Sequence, residues 1–149
     1  SWEDCREKLA PPRLAGTPLA TMERWMRGAH PDWPETGIQG ALANLEVRPD
    51  GTVAPWLTFD RHMKVLRGLW DHRPGERFPD VQQPVLWMPA DSGDVAWTDN
   101  KRAGIQRAHD LLRDSRVHWF SPADHDLHAQ FPDRVADLLI DAVASGWMA

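Results

Sequence analysis

The chain has 149 residues, which is the size of one domain and is long enough for a hydrophobic core. Hydrophobic residues make up 42% and charged residues 26%, a composition typical of a globular protein and not of a disordered chain or a coiled coil. The formal net charge is -5 and no basic run occurs, which argues against a nucleic-acid partner. A single cysteine, Cys5, excludes an internal disulfide. No apolar run reaches the roughly 20 residues that cross a bilayer, so we expect no membrane partner and a cytoplasmic location.

Residues 1–80 predict a mostly helical region. Ser1 is suited to cap a helix from Trp2 to Leu9, and the prolines that follow end it. A second helix is predicted from Thr17 to Gly28, with the glycine at its C-cap. The next stretch, residues 30–37, reads HPDWPETG and predicts a loop.

A hairpin and a third helix complete this region. Ala43–Val47 and Thr52–Leu57 flank the turn sequence Arg48-Pro49-Asp50-Gly51, which predicts two antiparallel strands. The following helix is predicted to begin with Asp60 as its N-cap and to end before Pro74. Its apolar face consists of Met63, Leu66, Leu69 and Trp70.

Residues 81–149 predict a strand-helix-strand-helix segment. Val85–Met88 and Val117–Phe120 are short apolar runs, typical of strands buried on both faces of a parallel sheet. A helix is predicted between them, at about Asn100–Leu112. The last helix has Pro132 in its first turn. Its predicted buried residues are Val135, Leu138, Leu139, Ala142 and Val143.

Two parallel strands alone leave their outer edges unpaired. We therefore expect other polypeptide to extend this sheet, either a complementary N-terminal chain of the same protein or an oligomer partner.

A polar loop that carries a histidine joins the second strand to the last helix. The stretch from Arg116 to Pro132 reads RVHWFSPADHDLHAQFP, and His125 lies in its loop. Loops between rigid elements often carry function, because the elements fix the loop while its side chains stay accessible. Neighbouring acidic and imidazole groups tend to shift pKa values. His125 is therefore the first candidate for a functional residue.

This stretch resembles the C-terminal end of the α/β-hydrolase family, in which the catalytic histidine follows the last strand in a loop of the form G-x-G-H-x-x-H or a variant. The matching residues run from Ala123 to His128. The sequence QQPVLWMPADSGD, from Gln82 to Asp94, is similar to the family's preceding strand and the loop that holds its catalytic acid. The order strand, acid, helix, strand, histidine, helix matches over Val81 to Ala144.

The resemblance implies an α/β fold that is the C-terminal part of an α/β-hydrolase. Residues 81–149 would be the strand-helix-strand-helix segment of the core, and residues 1–80 would be a cap-like region. The family's nucleophile lies on a G-x-S-x-G turn, which is absent here. The chain also has no initiator methionine. The nucleophile and the remaining strands are therefore expected on sequence that precedes Ser1.

The resemblance also assigns roles to residues. His125 would be the general base and acid, and Asp94 or Asp91 would orient it. The family's loop places a small residue at the strand end and the acid three or four positions later, so Ala90 as the small residue favours Asp94. Asp91 lies nearer to the strand, and the loop lacks the family's usual glycine, so both aspartates remain candidates. The activity implied is hydrolysis of an ester, thioester, amide or related bond.

A metal site is the first alternative for the histidine loop. His128 lies three residues beyond His125, and Asp124, Asp126 and His118 could add ligands. No H-E-x-x-H string is present. No other helix or strand carries candidate ligands at a spacing typical of metal sites. The sequence therefore predicts neither a metal nor a cofactor. A second alternative is a non-catalytic binding or regulatory module that retains this half of the fold.

The chain contains nine tryptophans and no tyrosine. Large apolar side chains in a cap-like region could line a pocket for a small apolar or acyl substrate. For any one tryptophan, a place in the core is the simpler interpretation. The candidate pocket residues are Trp25, Trp33, Trp56 and Trp70.

Overall fold

The computed structural model describes residues 1–148. It divides into two compact units, Ser1–His72 and Arg73–Ala149. The predicted boundary lay later, after Asp80. Residues 73–80 go with the second unit, in which Phe78 packs edge-on against Trp87 with ring centroids 5.9 Å apart.

The first unit combines helices with a small antiparallel sheet. Its elements are α1 (Trp2–Leu9), β1 (Thr17–Pro18), α2 (Leu19–Ala29), α3 (Glu35–Leu42), β2 (Leu45–Val47), β3 (Thr52–Pro55) and α4 (Phe59–Asp71). The strand order is β1-β3-β2, with Val53 of β3 opposite both Thr17 and Val47. Val53, Ile38 and Met22 are buried and belong to the core of this unit.

The predicted first helix and hairpin are confirmed. Ser1 caps α1, and its side chain accepts a hydrogen bond from the Asp4 amide. In the hairpin, the Arg48 amide donates to the Thr52 carbonyl at 2.8 Å. Gly51 closes the turn with φ of 78°, a left-handed conformation that glycine adopts without steric cost.

Three predictions for the first unit are wrong in detail. Thr17 and Pro18 do not begin α2, because they form strand β1, which pairs antiparallel with β3. Gly28 lies inside α2, whose C-cap is His30. The N-cap of α4 is Thr58, which places Asp60 within the first turn.

Helix α3 begins inside the stretch that predicted a loop. Two glycines, Gly37 and Gly40, lower its helix propensity. Burial compensates, because Ile38 is almost completely removed from solvent. Tertiary packing therefore decides the conformation of this segment.

The second unit contains a parallel strand pair between helices. After two short 3₁₀ turns at Pro74–Glu76 and Phe78–Asp80, its elements are β4 (Val85–Trp87), α5 (Val95–Leu111), β5 (Ser115–Val117), α6 (Leu127–Gln130) and α7 (Pro132–Ala144). The predicted parallel pairing is confirmed, with Val85 opposite Ser115 and Trp87 opposite Val117, but β5 begins two residues before the predicted strand Val117–Phe120. A further parallel bridge joins Ala90 to Phe120 beyond the strands.

Burial in the second unit is centred on Phe120, which is completely buried with Ala123 and Leu127. The predicted burial of both strand faces is wrong: β4 is half-buried and Val117 is exposed. A two-stranded sheet is narrow, and its faces are only partly covered.

The last helix, α7, is confirmed, but its buried face is narrower than predicted. Val135 and Leu138 pack against the Phe120 cluster, and Ala142 is buried. Leu139 and Val143 are 44% and 58% exposed. Within residues 1–148, no helix has both the length and the apolar character needed to cross a membrane.

Candidate functional site

The loops that follow β4 and β5 lie side by side. Because the two strands are parallel, both loops leave the same edge of the sheet. The Asp91 amide donates to the Phe120 carbonyl at 2.8 Å, and the Ala123 amide donates to the Asp91 carbonyl at 2.8 Å. These backbone bonds couple the loop that follows β4 directly to the segment that follows β5 and leads to His125.

The Asp91 carboxylate is surrounded by hydrogen-bond donors. Its Oδ1 accepts from the Gly93 amide at 2.9 Å and from the Thr98 hydroxyl at 2.8 Å. Its Oδ2 accepts from the Ser121 hydroxyl at 3.0 Å and lies 3.5 Å from Nη2 of Arg102. Only 14% of the side chain is exposed. Asp91 therefore joins α5, its own loop and the histidine loop.

These contacts also fix the charge of Asp91. The Gly93 amide lowers the pKa of the carboxyl most, and the hydroxyls of Thr98 and Ser121 and the charge of Arg102 lower it further. Loss of hydration acts in the opposite direction, but the net effect is a lowered pKa. Asp91 is therefore an anion at neutral pH.

Asp94 has a different environment. It is the N-cap of α5, and its Oδ1 accepts a hydrogen bond from the Trp97 amide at 2.9 Å. This cap explains why α5 begins at Val95, before the predicted start at Asn100. The side chain is exposed, and its Oδ2 has no hydrogen bond to any residue within 1–148.

His125 is presented to solvent on the second loop, with 97% of its side chain exposed. Its Nδ1 lies 3.2 Å from Oδ1 of Asp126. In the described part of the chain, the ring hydrogen-bonds neither to Asp94 nor to Asp91. The structure therefore joins the histidine loop to Asp91 but does not join the imidazole to either candidate acid.

Gln130 holds the other end of the histidine loop. Its Oε1 accepts a hydrogen bond from the Asp124 amide at 2.7 Å, and its side chain lies in the interior at 7% exposure. The Ala129 amide donates to the Asp126 carbonyl at 2.9 Å, which ties the loop to the start of α6. His125 thus lies between residues whose backbone groups are fixed.

Sequence reasoning missed four residues that organise this site: Thr98, Arg102, Ser121 and Gln130. Thr98 and Arg102 lie four residues apart on α5 and therefore share a helix face. If Asp94 is assigned as the N-cap of α5, the sequence predicts that Thr98 and Arg102 lie on the same face of that helix. No local pattern connects Ser121 to Asp91, which lies 30 positions earlier in the chain.

The candidate pocket tryptophans all lie in the first unit. Trp33 is buried and stacks on His30 with ring centroids 3.9 Å apart, in agreement with a place in the core. The side chains of Trp25, Trp56 and Trp70 are exposed. A substrate pocket formed by these residues stays a prediction.

The possible ligands of the metal alternative are not gathered at one point. Residues 1–148 contain no group of three or more histidine, cysteine, aspartate or glutamate side chains arranged to hold a metal ion. His118 is engaged elsewhere, since Nη2 of Arg134 lies 2.9 Å from its Nε2.

Comparison with known proteins shows the fold. No protein-family profile and no curated protein sequence matches the chain. Its structure is similar to the crystal structure of E-2-(acetamidomethylene)succinate hydrolase, with a TM-score of 0.70 and 19% identity over 95% of this chain. The match covers 50% of the hydrolase chain, so this chain spans about half the length of the protein it matches. That protein is an α/β-hydrolase, and the chain has a mixed α/β structure similar to that fold.

Proposed function

We propose that this chain is part of an α/β-hydrolase-type hydrolase that cleaves an ester, thioester, amide or related bond, with His125 as its proton shuttle. One observation carries the proposal: an accessible histidine follows β5 in a chain whose structure is similar to that of a hydrolase. The fold alone does not select the bond, because the same fold supports many reactions.

In the proposed mechanism, the imidazole of His125 accepts the proton of a nucleophile as the nucleophile attacks the scissile carbonyl. It then donates that proton to the leaving group. The 149 residues contain no G-x-S-x-G turn, so we assign the nucleophile to sequence outside them. In this proposal, residues 81–149 are the C-terminal core segment, and residues 1–80 are the cap.

Two structural features support the proposal that further polypeptide packs against this segment. The β4–β5 pair leaves an open edge on each strand. Helix α7 also exposes Leu139, Ile140 and Val143 on its surface. We propose that a complementary N-terminal chain, or an oligomer partner, covers these groups. The cytoplasmic location stays a prediction from the sequence.

We propose Asp94 as the carboxylate that orients His125. Its Oδ2 is free to accept a hydrogen bond from a ring nitrogen, whereas both oxygens of Asp91 already accept hydrogen bonds. Forming the pair requires the exposed imidazole to turn away from Asp126. Asp91 is the alternative acid, and its contacts favour a role in fixing the loops.

The substrate class that we propose is a small apolar or acyl compound. Support comes from the exposed rings of Trp25, Trp56 and Trp70 in the first unit. The structural neighbour acts on E-2-(acetamidomethylene)succinate, so an amide also belongs among the compounds to be tested.

The test is steady-state kinetics of the full-length protein on p-nitrophenyl esters and on E-2-(acetamidomethylene)succinate. His125→Ala should lower kcat by a factor on the order of 10³ or more, because it removes the proton shuttle of a group that acts as a unit. His128→Ala is the matched control, since His128 is also exposed, and it should change kcat little. Equal losses at both positions would indicate a metal site and would contradict the proposal.

A non-catalytic binding module is the second candidate. The observation in its favour is that the imidazole contacts Asp126 and neither proposed acid. The sequence of the full-length protein outside these 149 residues would separate the two. A serine, cysteine or aspartate on a strand-to-helix elbow supports the enzyme, and an elbow without a nucleophile supports the binding module.

A further inference from the structure

The histidine loop, which we define as residues 121–126, is anchored on its first side by Asp91. The Asp91 side chain accepts the Ser121 hydroxyl at 3.0 Å, and its backbone carbonyl accepts the Ala123 amide at 2.8 Å. Ala123 is itself buried beside Phe120. The first half of the loop is therefore fixed by side-chain, backbone and packing contacts.

The second half of the loop has a different anchor. The amide of Asp124, the residue that directly precedes His125, donates to Oε1 of Gln130 at 2.7 Å. A glutamine is mostly exposed in proteins, and at 7% exposure Gln130 is in an uncommon position. A buried acceptor that meets a loop amide fixes the peptide plane, because leaving either group unpaired in the interior is costly.

We propose that Gln130 is a positioning residue for His125. By holding the Asp124 amide, it sets the direction in which the chain presents the imidazole to the nucleophile. The inference rests on the proposed function, because it gives Gln130 a role in the same reaction. Gln130 does not touch the reacting atoms in this account.

The test uses the full-length protein and substitutions that separate shape from hydrogen bonding. Gln130→Met keeps the length and the unbranched shape but replaces the amide oxygen by a weak thioether acceptor. Gln130→Glu keeps an acceptor oxygen whether it is ionised or protonated. Gln106→Met is the matched control, since Gln106 is exposed on α5 and its side-chain amide donates a hydrogen bond to Asp110.

The first readout is amide hydrogen exchange, which needs no activity. Gln130→Met should speed exchange of the Asp124 amide by about tenfold, the effect of losing one hydrogen bond. Exchange in α7 should stay as in the wild type, which shows that the fold is intact. Gln130→Glu should restore protection, and Gln106→Met should change nothing at Asp124. Unchanged exchange of the Asp124 amide in Gln130→Met would overturn the inference.

The second readout is kinetic. Gln130→Met should lower kcat by a factor on the order of 10² with KM unchanged, because a small displacement of the proton shuttle affects the chemical step. Gln130→Glu should recover most of the loss. Faster exchange at Asp124 with wild-type kcat, or a rise in KM alone, would contradict a positioning role.

Two controls keep the outcomes separate. If Gln130→Met does not fold, Gln130→Asn decides the question in the same two readouts, because it keeps the amide but is too short by one methylene to reach Asp124. His125→Ala is measured in parallel. If that variant hydrolyses substrate as the wild type does, the proposed function fails, and the exchange readout alone then decides whether Gln130 holds the loop.

Discussion

At the scale of single residues, Asp91 connects several parts of the candidate site through its side chain. Its carboxylate accepts hydrogen bonds from its own loop, from α5 and from the histidine loop. The same donors lower its pKa, the Gly93 amide most of all. The contacts that fix the loops are therefore contacts to the ionised carboxylate of Asp91. The stability of the loops should therefore depend on pH.

The first prediction concerns this pH dependence. Because the folded-state pKa of Asp91 lies below its ordinary value, ionisation of Asp91 stabilises the folded state above that ordinary value. This contribution is lost as the pH falls through the folded-state pKa. Asp91→Asn should therefore lower the free energy of unfolding at neutral pH, and the difference from wild type should shrink below about pH 4.

Denaturant unfolding of the full-length protein at several pH values measures this difference. Asp99→Asn, an exposed position on α5, serves as the control and should follow the wild type throughout. A gap between Asp91→Asn and wild type that stays constant, or widens, as the pH falls would contradict the assignment of Asp91 as an ionised anchor.

The second prediction concerns the orienting acid. Asp94→Asn keeps an N-cap of similar quality for α5, so thermal stability should change little. The amide would favour the wrong imidazole tautomer, so kcat should fall by up to about 10⁴. Asp91→Asn should lower stability more and kcat less. A large loss of kcat in Asp91→Asn, with Asp94→Asn near wild type, would assign the acid to Asp91.

At the scale of secondary-structure elements, the sequence predicted those with a strong local signal. The hairpin around Gly51 and the helix after Pro132 carry turn or periodic patterns that act within a few residues. Helix α3 has no such local pattern, and its two glycines lower its helix propensity. It forms because burial of Ile38 outweighs this effect. Helix α5 begins at Val95, before the predicted start at Asn100, because Asp94 acts as its N-cap.

The third prediction uses two glycines to test the assigned elements. Gly51→Ala should destabilise the protein by about 1–2 kcal/mol, because alanine is strained at the φ of 78° that the turn requires. Gly28→Ala should stabilise it by up to about 1 kcal/mol, because Gly28 is exposed inside α2 and a methyl group would meet no atom within 4 Å. Urea unfolding measures both. A stabilising Gly51→Ala or a destabilising Gly28→Ala would contradict the assigned conformations.

At the scale of the whole molecule, the sequence predicted the parallel strand pair and the position of the histidine loop. It did not predict what the loop contacts. The bonds from Asp91 to Ser121 and from Gln130 to Asp124 depend on the folded backbone, and one of them spans 30 positions of sequence. The packing of Phe78 on Trp87 has no periodic signature in the sequence either.

The central claim is that His125 activates a nucleophile that lies outside these 149 residues. Labelling with a fluorophosphonate tests this claim for a serine nucleophile without knowledge of the substrate, because the probe reacts with a serine only when a neighbouring base activates it. We predict that intact-mass and peptide analysis of the full-length protein will find one adduct, on a residue outside this chain, and that His125→Ala will abolish it while His128→Ala will not. An adduct within these residues, or equal labelling of His125→Ala and wild type, would contradict the claim.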